Sequence, residues 1–395
     1  MMDDNAVWLV DGVRTPFGRF GGGLSEIPVV DLAARALQAL LTKSSWPVEA
    51  LDELNVGMAM LEGGLMVPAR QYAVAAGLPQ ELPTLTLDRA CCSGMTTVGL
   101  GARAIATGAR SVLAAGVESM SRTPRMLHGS RASKRGDLEV EDILMLRSPL
   151  TGGEPIAKSA GIEAVRRGVG REAQDDWALA SHDKYFEALE ADFFDGEIVE
   201  VQTPTGVVAA DEQPRRGGTL EKLARLTPVY GSPTVTAGNA PGLNDGAVAL
   251  VLAGTPAVRE NGSIPLARVR GHFQTAAGPT SSVYLPGLAI RELLDRYGVS
   301  LDDVSVIEIN EAYAATALVS VKTLADGDDG LEAKLRARTN IAGGAVAIGH
   351  PTGASGARLV LTAARHLRKR GGRYAVAAIC GGFGQTDAVL LETAG

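Results

Sequence analysis

The chain has 395 residues, 46% hydrophobic and 21% charged, so it exceeds the usual size of a single core and carries no long polar tract of the kind that stays disordered. Its net charge of -7 argues against nonspecific nucleic-acid binding, although a local basic patch would still suffice for a phosphate-bearing ligand. The start, MMDDNAVWLV, lacks a basic stretch ahead of an apolar run, no segment approaches the roughly 20 apolar residues of a membrane span, and the final ETAG is not a peroxisomal address, so a soluble cytoplasmic protein is expected.

Taken in chain order, short apolar runs bounded by Gly, Asp or Pro predict strands at 7–13, 54–58, 84–88, 111–117, 247–253, 265–270, 304–310, 374–380 and 386–392. Helical stretches alternate with most of them, which predicts α/β layers. In the stretch 356–370, Leu359, Ala363 and Leu367 share one face, while Arg358, Thr362, Arg365 and Arg368 are expected to turn outward. Residues 121–243 are richer in charge, Pro and Gly; a helix is expected over 171–189 and irregular loop over 202–219. This middle stretch reads as an inserted loop domain, which gives three units: 1–120 plus 244–267, then 121–243, then 268–395.

The two ends of the chain repeat one another. A strand, CCSGM, a helix, TGARS, a strand and GVES in the first part are matched by GGAVAIGHPTGASGA, a helix, RGGRY, a strand and GGFG in the last. With Ser93-Gly94 set against Ser355-Gly356, the later Gly-x-Arg turns align within one residue. Two duplicated α/β halves follow, with the CCSGM and GHPTG turns facing each other at their junction.

Those turns carry the chemistry. Cys91 stands between a strand and a helix, where the helix N-terminus is expected to stabilise a thiolate and lower its pKa, and where unpaired N–H groups can hold an oxyanion. Cys91 and Cys92 taken alone read equally as small core residues, and at least one of two neighbours must be inert. His350, on a glycine-rich turn, suits proton exchange with a thiol or a turn cap; of the other four histidines, His182 and His366 are expected on solvated helix faces. Cys380 ends a strand before Gly381-Gly382-Phe383-Gly384 and suits an acid or base, or a core position. Asn310, at the end of 304–310, suits holding a water or carbonyl, or capping a helix. The spacings of zinc sites, of a serine nucleophile elbow and of nucleotide-binding glycine loops are all lacking, which discounts those three readings.

In order, Cys91-Cys92-Ser93-Gly94, Asn310-Glu311-Ala312-Tyr313, Gly349-His350-Pro351 and Cys380-x-Gly382-x-Gly384 resemble the four signature segments of the thiolase family. VRTPFGRFGG, GVESMSRTP, REAQDDWALASHDKY and TVTAGNAPGLNDGA extend the resemblance over essentially the whole chain. It implies an αβαβα layered fold and a ping-pong acyl-CoA acyltransferase with no cofactor beyond its coenzyme A substrates. Cys91 is implied as the acylated nucleophile, His350 as its activator, Cys380 as the acid–base group at the α-carbon, and Asn310 as the holder of an oxyanion-hole water. The backbone N–H groups of Cys91 and Gly382 are implied as the second oxyanion hole. Arg215, Tyr230, Ala237, Ala240, Pro241 and Tyr313 are implied CoA contacts, and a homodimer or homotetramer is implied as the assembly. Arg122, Arg125, Arg131, Lys134 and Arg135 form a basic stretch suited to phosphates, to solvent or to a subunit contact. Departures are Cys92, Asp88, Pro155-Ile156, Pro241, Leu285-Pro286-Gly287 and Tyr313; they alter the acyl pocket and channel rather than the reactive groups. Two other functions fit the same segments: a noncatalytic acyl-CoA-binding subunit, against which four intact reactive groups count, and a hydrolase or decarboxylating condensing enzyme, against which Cys380 counts.

Overall fold

The structure, a computed structural model, describes residues 3–60, 65–129 and 139–394. Nine long strands and eight helices carry the argument. In chain order they are β1 (Val7–Arg14), α1 (Val29–Ser44), β2 (Glu53–Gly57), α2 (Pro68–Ala75), β3 (Thr84–Leu87), α3 (Ser93–Ala106) and β4 (Ser111–Ser119), then α4 (Ile156–Arg166), α5 (Arg171–Glu190) and β5 (Asn244–Gly254). The chain continues through β6 (Ala267–Ala276), α6 (Leu285–Tyr297), β7 (Val304–Ile309), α7 (Ala314–Ala325), α8 (Thr352–Arg370), β8 (Tyr374–Gly381) and β9 (Gln385–Thr393).

The strands pair in the order β7-β8-β9-β6-β1-β5-β4-β2-β3, with the short segment Gly18–Arg19 added beside β5. The order makes the duplication physical. The first half runs β3-β2-β4-β5-β1. The second runs β7-β8-β9-β6, with Thr339 bridging β7 in parallel at Ile307, where β3 pairs β2 in the first half. The halves join where Val7, Trp8 and Leu9 of β1 pair antiparallel with Val269, Arg268 and Ala267 of β6.

Alternate residues of each strand feed different layers, because side chains along a strand point to opposite faces. Ala247, Ala249 and Val251 pack with Leu32, Leu37 and Leu40 of α1, whereas Val248, Leu250 and Leu252 pack with Met95 and Val98 of α3 and Leu359 and Val360 of α8. In the second half, Val376 and Ala378 face α6 and α7, while Ala375 and Ala377 face the middle. The result is helices, sheet, helices, sheet, helices. Both faces of each sheet are covered, which is why these strands read as continuous apolar runs. Burial of a Leu or Val in such a layer stabilises the fold by about 1.5–3 kcal/mol each.

The middle layer is α3 against α8, and small residues bring them together. A Cβ on Gly94 would sit 2.5 Å from the Gly353 carbonyl oxygen and 3.0 Å from the Ala357 nitrogen; one on Gly356 would sit 2.5 Å from the Met95 nitrogen. The last two contacts are the same contact seen from either half, which matches the Gly94–Gly356 alignment.

Four expectations change. The α8 side chains do not divide into inner and outer faces over most of the helix: every residue from Thr352 to Leu367 is buried, Arg358, Thr362 and Arg365 included, and of the four expected outward only Arg368, in the last turn, is exposed. A helix between two sheets has no outer face, so its arginines find partners inside. Arg358 pairs with Glu308 at 3.4 Å, and Arg365 donates to the carbonyls of Phe193 at 2.8 Å and Asp195 at 2.6 Å. His366 is likewise buried rather than solvated and stacks on Phe193 at 4.2 Å between ring centroids. Finally, β6 runs to Ala276, beyond the expected end near 270, and the stretch 202–219 opens with a two-strand hairpin, Val201–Thr203 with Gly206–Val208. Helix α5 covers the expected stretch and ends at Glu190.

Candidate active site

The duplicated turns meet. Cys91 lies in the β3-to-α3 turn and His350 directly before α8, and the Cys91 Sγ is 3.3 Å from His350 Nε2. Hydrogen bonding assigns the imidazole tautomer. Ser355 Oγ lies 2.7 Å from His350 Nδ1 and donates its own proton to the Pro351 carbonyl at 2.9 Å. The hydroxyl oxygen therefore accepts from Nδ1–H, and Nε2 turns its lone pair toward the thiol. The loop is held from below as well: the His350 amide donates to Asn244 Oδ1 at 2.8 Å, and Asn244 Nδ2 donates to the Gly18 carbonyl at 2.9 Å.

Electrostatics differ from the sequence expectation. Burial pushes the Cys91 thiol up, and Cys380 and Glu118 add to the shift. Burial, with Arg358 adding to it, brings His350 down to about 3. Burial thus favours the uncharged form of both groups, the opposite of the lowered thiol pKa expected at a helix N-terminus. Burial also pushes the Cys380 thiol up to about 12.

Asn310 completes the group from the end of β7. Its Nδ2 is 3.4 Å from His350 Nε2, and its Oδ1 is buried without a hydrogen-bond partner. With a lone pair on Nε2, the amide turns its NH₂ toward the histidine, which leaves Oδ1 without a partner.

Two cavities open onto Cys91. The larger, about 360 Å³, is lined by both Cys91 and His350. Its walls include Arg215, Tyr230, Ala237, Ala240, Pro241 and Tyr313, all six positions expected to meet CoA. The smaller, about 40 Å³, is shared by Cys91, Tyr313, Cys380 and Gly382. Ile156 lines both. Of the basic stretch, Arg131, Lys134 and Arg135 lie outside the described residues, and Arg122 and Arg125 do not line either cavity.

Sequence reasoning missed three supports. Ser355 and Asn244 sit in quoted segments, but their roles depend on the turn's three-dimensional path. Glu118 ends β4 and reaches across the junction: its carboxylate accepts from Thr352 Oγ1 at 2.5 Å, the amide of Gly353 at 2.9 Å, and the amides of Ala59 at 3.0 Å and Met60 at 2.9 Å. It caps the N-terminus of α8, and burial raises its pKa to about 7 against the pull of those donors.

Comparison with known proteins gives matches over nearly the full chain. Residues 7–255 match the model of the thiolase N-terminal domain and residues 263–393 that of the thiolase C-terminal domain. A beta-ketoadipyl-CoA thiolase of Pseudomonas aeruginosa is 42% identical over 403 residues, covering 98% of each chain. An acetyl-CoA acetyltransferase of Yarrowia lipolytica is 36% identical, covering 98% of this chain and 96% of its own. The crystal structure of human mitochondrial 3-ketoacyl-CoA thiolase in complex with CoA superposes with a TM-score of 0.92 at 35% identity over 98% of each chain.

Proposed function

The chain belongs to the thiolase family, and on that premise we propose that Cys91 is the acylated nucleophile of an acyl-CoA C-acyltransferase. The enzyme cleaves a 3-oxoacyl-CoA with free CoA or, in reverse, condenses two acyl-CoAs. The observation that carries the reading is the Cys91–His350 pair on the wall of the larger cavity, with Cys91 also lining the small one beside Cys380.

In the cleavage direction, Cys91 gives its proton to His350 Nε2 and its sulfur attacks the 3-oxo carbon. The bond between the α-carbon and the 3-oxo carbon breaks, and its electron pair stays on the α-carbon. Cys380 gives that carbon its proton, which releases acetyl-CoA. Free CoA then attacks the acyl-Cys91 thioester; its thiol proton replaces the one Cys380 gave up, and His350 returns its proton to the departing Cys91 sulfur. Oxygens that gain charge are held by His350 with a water on Asn310, and by the N–H groups of Cys91 and Gly382. CoA lies along Arg215, Tyr230, Ala237, Ala240, Pro241 and Tyr313. The unit 121–243 carries much of that channel, between the halves 1–120 plus 244–267 and 268–395. No metal or redox group has a step to perform in this scheme.

The small cavity, about 40 Å³, supports a short acyl group, since a single water needs about 10–15 Å³ on the same scale. The exposed edge strand β3, with Leu85 outward and the exposed Val67 lining a hollow with it, supports a homodimer or homotetramer. Three free thiols support a reducing, cytoplasmic setting. The test is a thiolysis panel across acyl length, branching and aromatic 3-oxoacyl-CoAs, with acyl labelling of the protein. Short substrates should be cleaved and the label should sit on Cys91. Folded Cys91→Ala protein that still cleaves, or unmodified protein that cleaves nothing and takes no label, would end the reading.

A further inference from the structure

The turn that carries Cys91 is held in an unfavourable shape. Ala90, immediately before it, has φ +50°, a left-handed conformation that costs a residue with a side chain about 1–3 kcal/mol unless its surroundings enforce it. Local bonds enforce the shape. The Ala90 amide donates to Asp88 Oδ1 at 2.7 Å, and Ser93 Oγ donates to the Ala90 carbonyl at 2.6 Å while accepting from the Arg89 amide at 2.8 Å. None of these fixes where the turn stands relative to Cys380, which arrives from the other half.

Contacts across the junction do that. Arg89 Nη1 donates to Asp387 Oδ1 at 2.5 Å, and its Nε and Nη2 donate to Gln385 Oε1 at 3.3 and 3.1 Å. Both partners lie on β9, in register with β8: Asp387 faces Ile379, and Gln385 faces Gly381, so the two flank Cys380. Cys92 Sγ donates to the Ile379 carbonyl at 3.2 Å. A Cβ on Gly381 would lie 2.7 Å from the Arg89 carbonyl oxygen, so the two backbones have no slack between them.

Asp387 is the hub. It is fully buried and also accepts from Thr96 Oγ1 of α3 at 2.7 Å, from His272 Nε2 of β6 at 2.9 Å and from Gln274 Nε2 at 3.2 Å. His272 fits against α3 because Gly99 leaves room: a Cβ there would fall 2.1 Å from the ring Nδ1, to which Arg103 Nη2 donates at 3.2 Å. One buried carboxylate thus ties the nucleophile's turn and its helix to the two adjacent strands β6 and β9 of the other half.

We propose that Arg89 and Asp387, with His272 and Gln274 seating the carboxylate, are positioning residues that set the placement of Cys91 relative to Cys380. The inference rests on the thiolase reading above. Its consequence follows from what each partial reaction uses. Exchange of an acyl group between CoA molecules needs a thioester on Cys91 and His350 to move the thiol proton, and forms no carbanion. Carbon–carbon cleavage needs Cys380 at the α-carbon as well. A shift of about 1 Å between reacting groups can cost about 100-fold, so loosening the clamp should slow cleavage and spare exchange.

The experiment compares unmodified protein with Asp387→Asn and Arg89→Lys. Two rates are read from each preparation: thiolysis of acetoacetyl-CoA, and exchange of labelled CoA into acetyl-CoA. Asp387→Asn turns an amide NH₂ toward a donor, and Arg89→Lys keeps the charge but loses the two-pronged geometry. The expected result is a loss of about 10- to 100-fold in kcat for thiolysis, a smaller loss for Arg89→Lys than for Asp387→Asn, and exchange within threefold of unmodified protein. Should Asp387→Asn fail to fold by circular dichroism, Arg89→Lys decides alone. Parallel loss of both rates, or loss of neither, overturns the clamp. Unmodified protein inactive in both reactions sinks the thiolase reading and the clamp with it.

Discussion

Ser355→Ala tests how the histidine is prepared. The hydroxyl oxygen, 2.7 Å from Nδ1, is the acceptor that keeps the proton on that nitrogen and the lone pair on Nε2. The substitution leaves the Pro351 carbonyl satisfied, because the amides of Ala354 and Ser355 still donate to it at 3.0 Å. Only Nδ1–H is orphaned, inside a site where His350 is 7% and Ser355 0% exposed. A buried unmatched donor costs about 1–3 kcal/mol. The imidazole can avoid that cost by moving its proton to Nε2, where it can no longer receive one from Cys91. Either outcome raises the barrier to thiolate formation by that amount, which is about 5- to 150-fold in rate. The assay is single-turnover acylation of Cys91 by acetyl-CoA, followed by mass, with thermal unfolding as the check on folding. Acylation within twofold of unmodified protein would refute the tautomer argument.

Gly94→Ala should destabilise the fold by about 1–3 kcal/mol or more in urea unfolding, because the new methyl meets the Gly353 carbonyl at 2.5 Å and neither backbone can retreat. Glu118→Gln should lower the melting temperature and slow Cys91 acylation, because the amide NH₂ faces donors where an oxygen accepted; an unmatched donor costs about 1–3 kcal/mol. Acidification should destabilise the protein through His366, whose folded pKa is held near 3 by burial, with Arg370, Arg365 and Lys369 adding to it. Below about 6.5 the unfolded chain binds a proton that the folded one refuses, so this stability is complete above 6.5 and drains away as pH falls toward 3. His366→Phe should flatten the fall in melting temperature between pH 6.5 and 4.5, and an unchanged slope would assign the loss elsewhere.

The strands were legible because both faces of each sheet are apolar, which leaves continuous runs in the sequence. The repeat was legible because glycines at equivalent places bring α3 and α8 together. The pairing of Cys91 with His350 followed from that repeat. Helix α8 was misread because amphipathicity assumes a solvent side, and this helix meets solvent only in its last turn; Arg358, Arg365 and His366 look like a surface and lie in the middle layer. Strand β6 was cut short for a related reason. Its His272 and Gln274 look like the polar end of a strand, but their partner, Asp387, is far along the chain and buried. The direction of the Cys91 shift was missed because a helix N-terminus can be inferred locally, whereas the depth of burial depends on what the rest of the chain packs over it.

The strand order also bears on synthesis. The one strand that joins β6 to β8 in the second half's sheet is β9, which is made after every other strand, while Cys91 is made in the first quarter. At about 5–20 residues per second, the nucleophile's turn waits roughly 15–60 s for its seat. For most of that interval, until Thr352–Arg370 is made, the inner face of the first sheet, Val248, Leu250 and Leu252 included once made, lacks α8. A ribosome pause late in the message would therefore lengthen the life of a sticky, inactive half-molecule, whereas one before α3 would not.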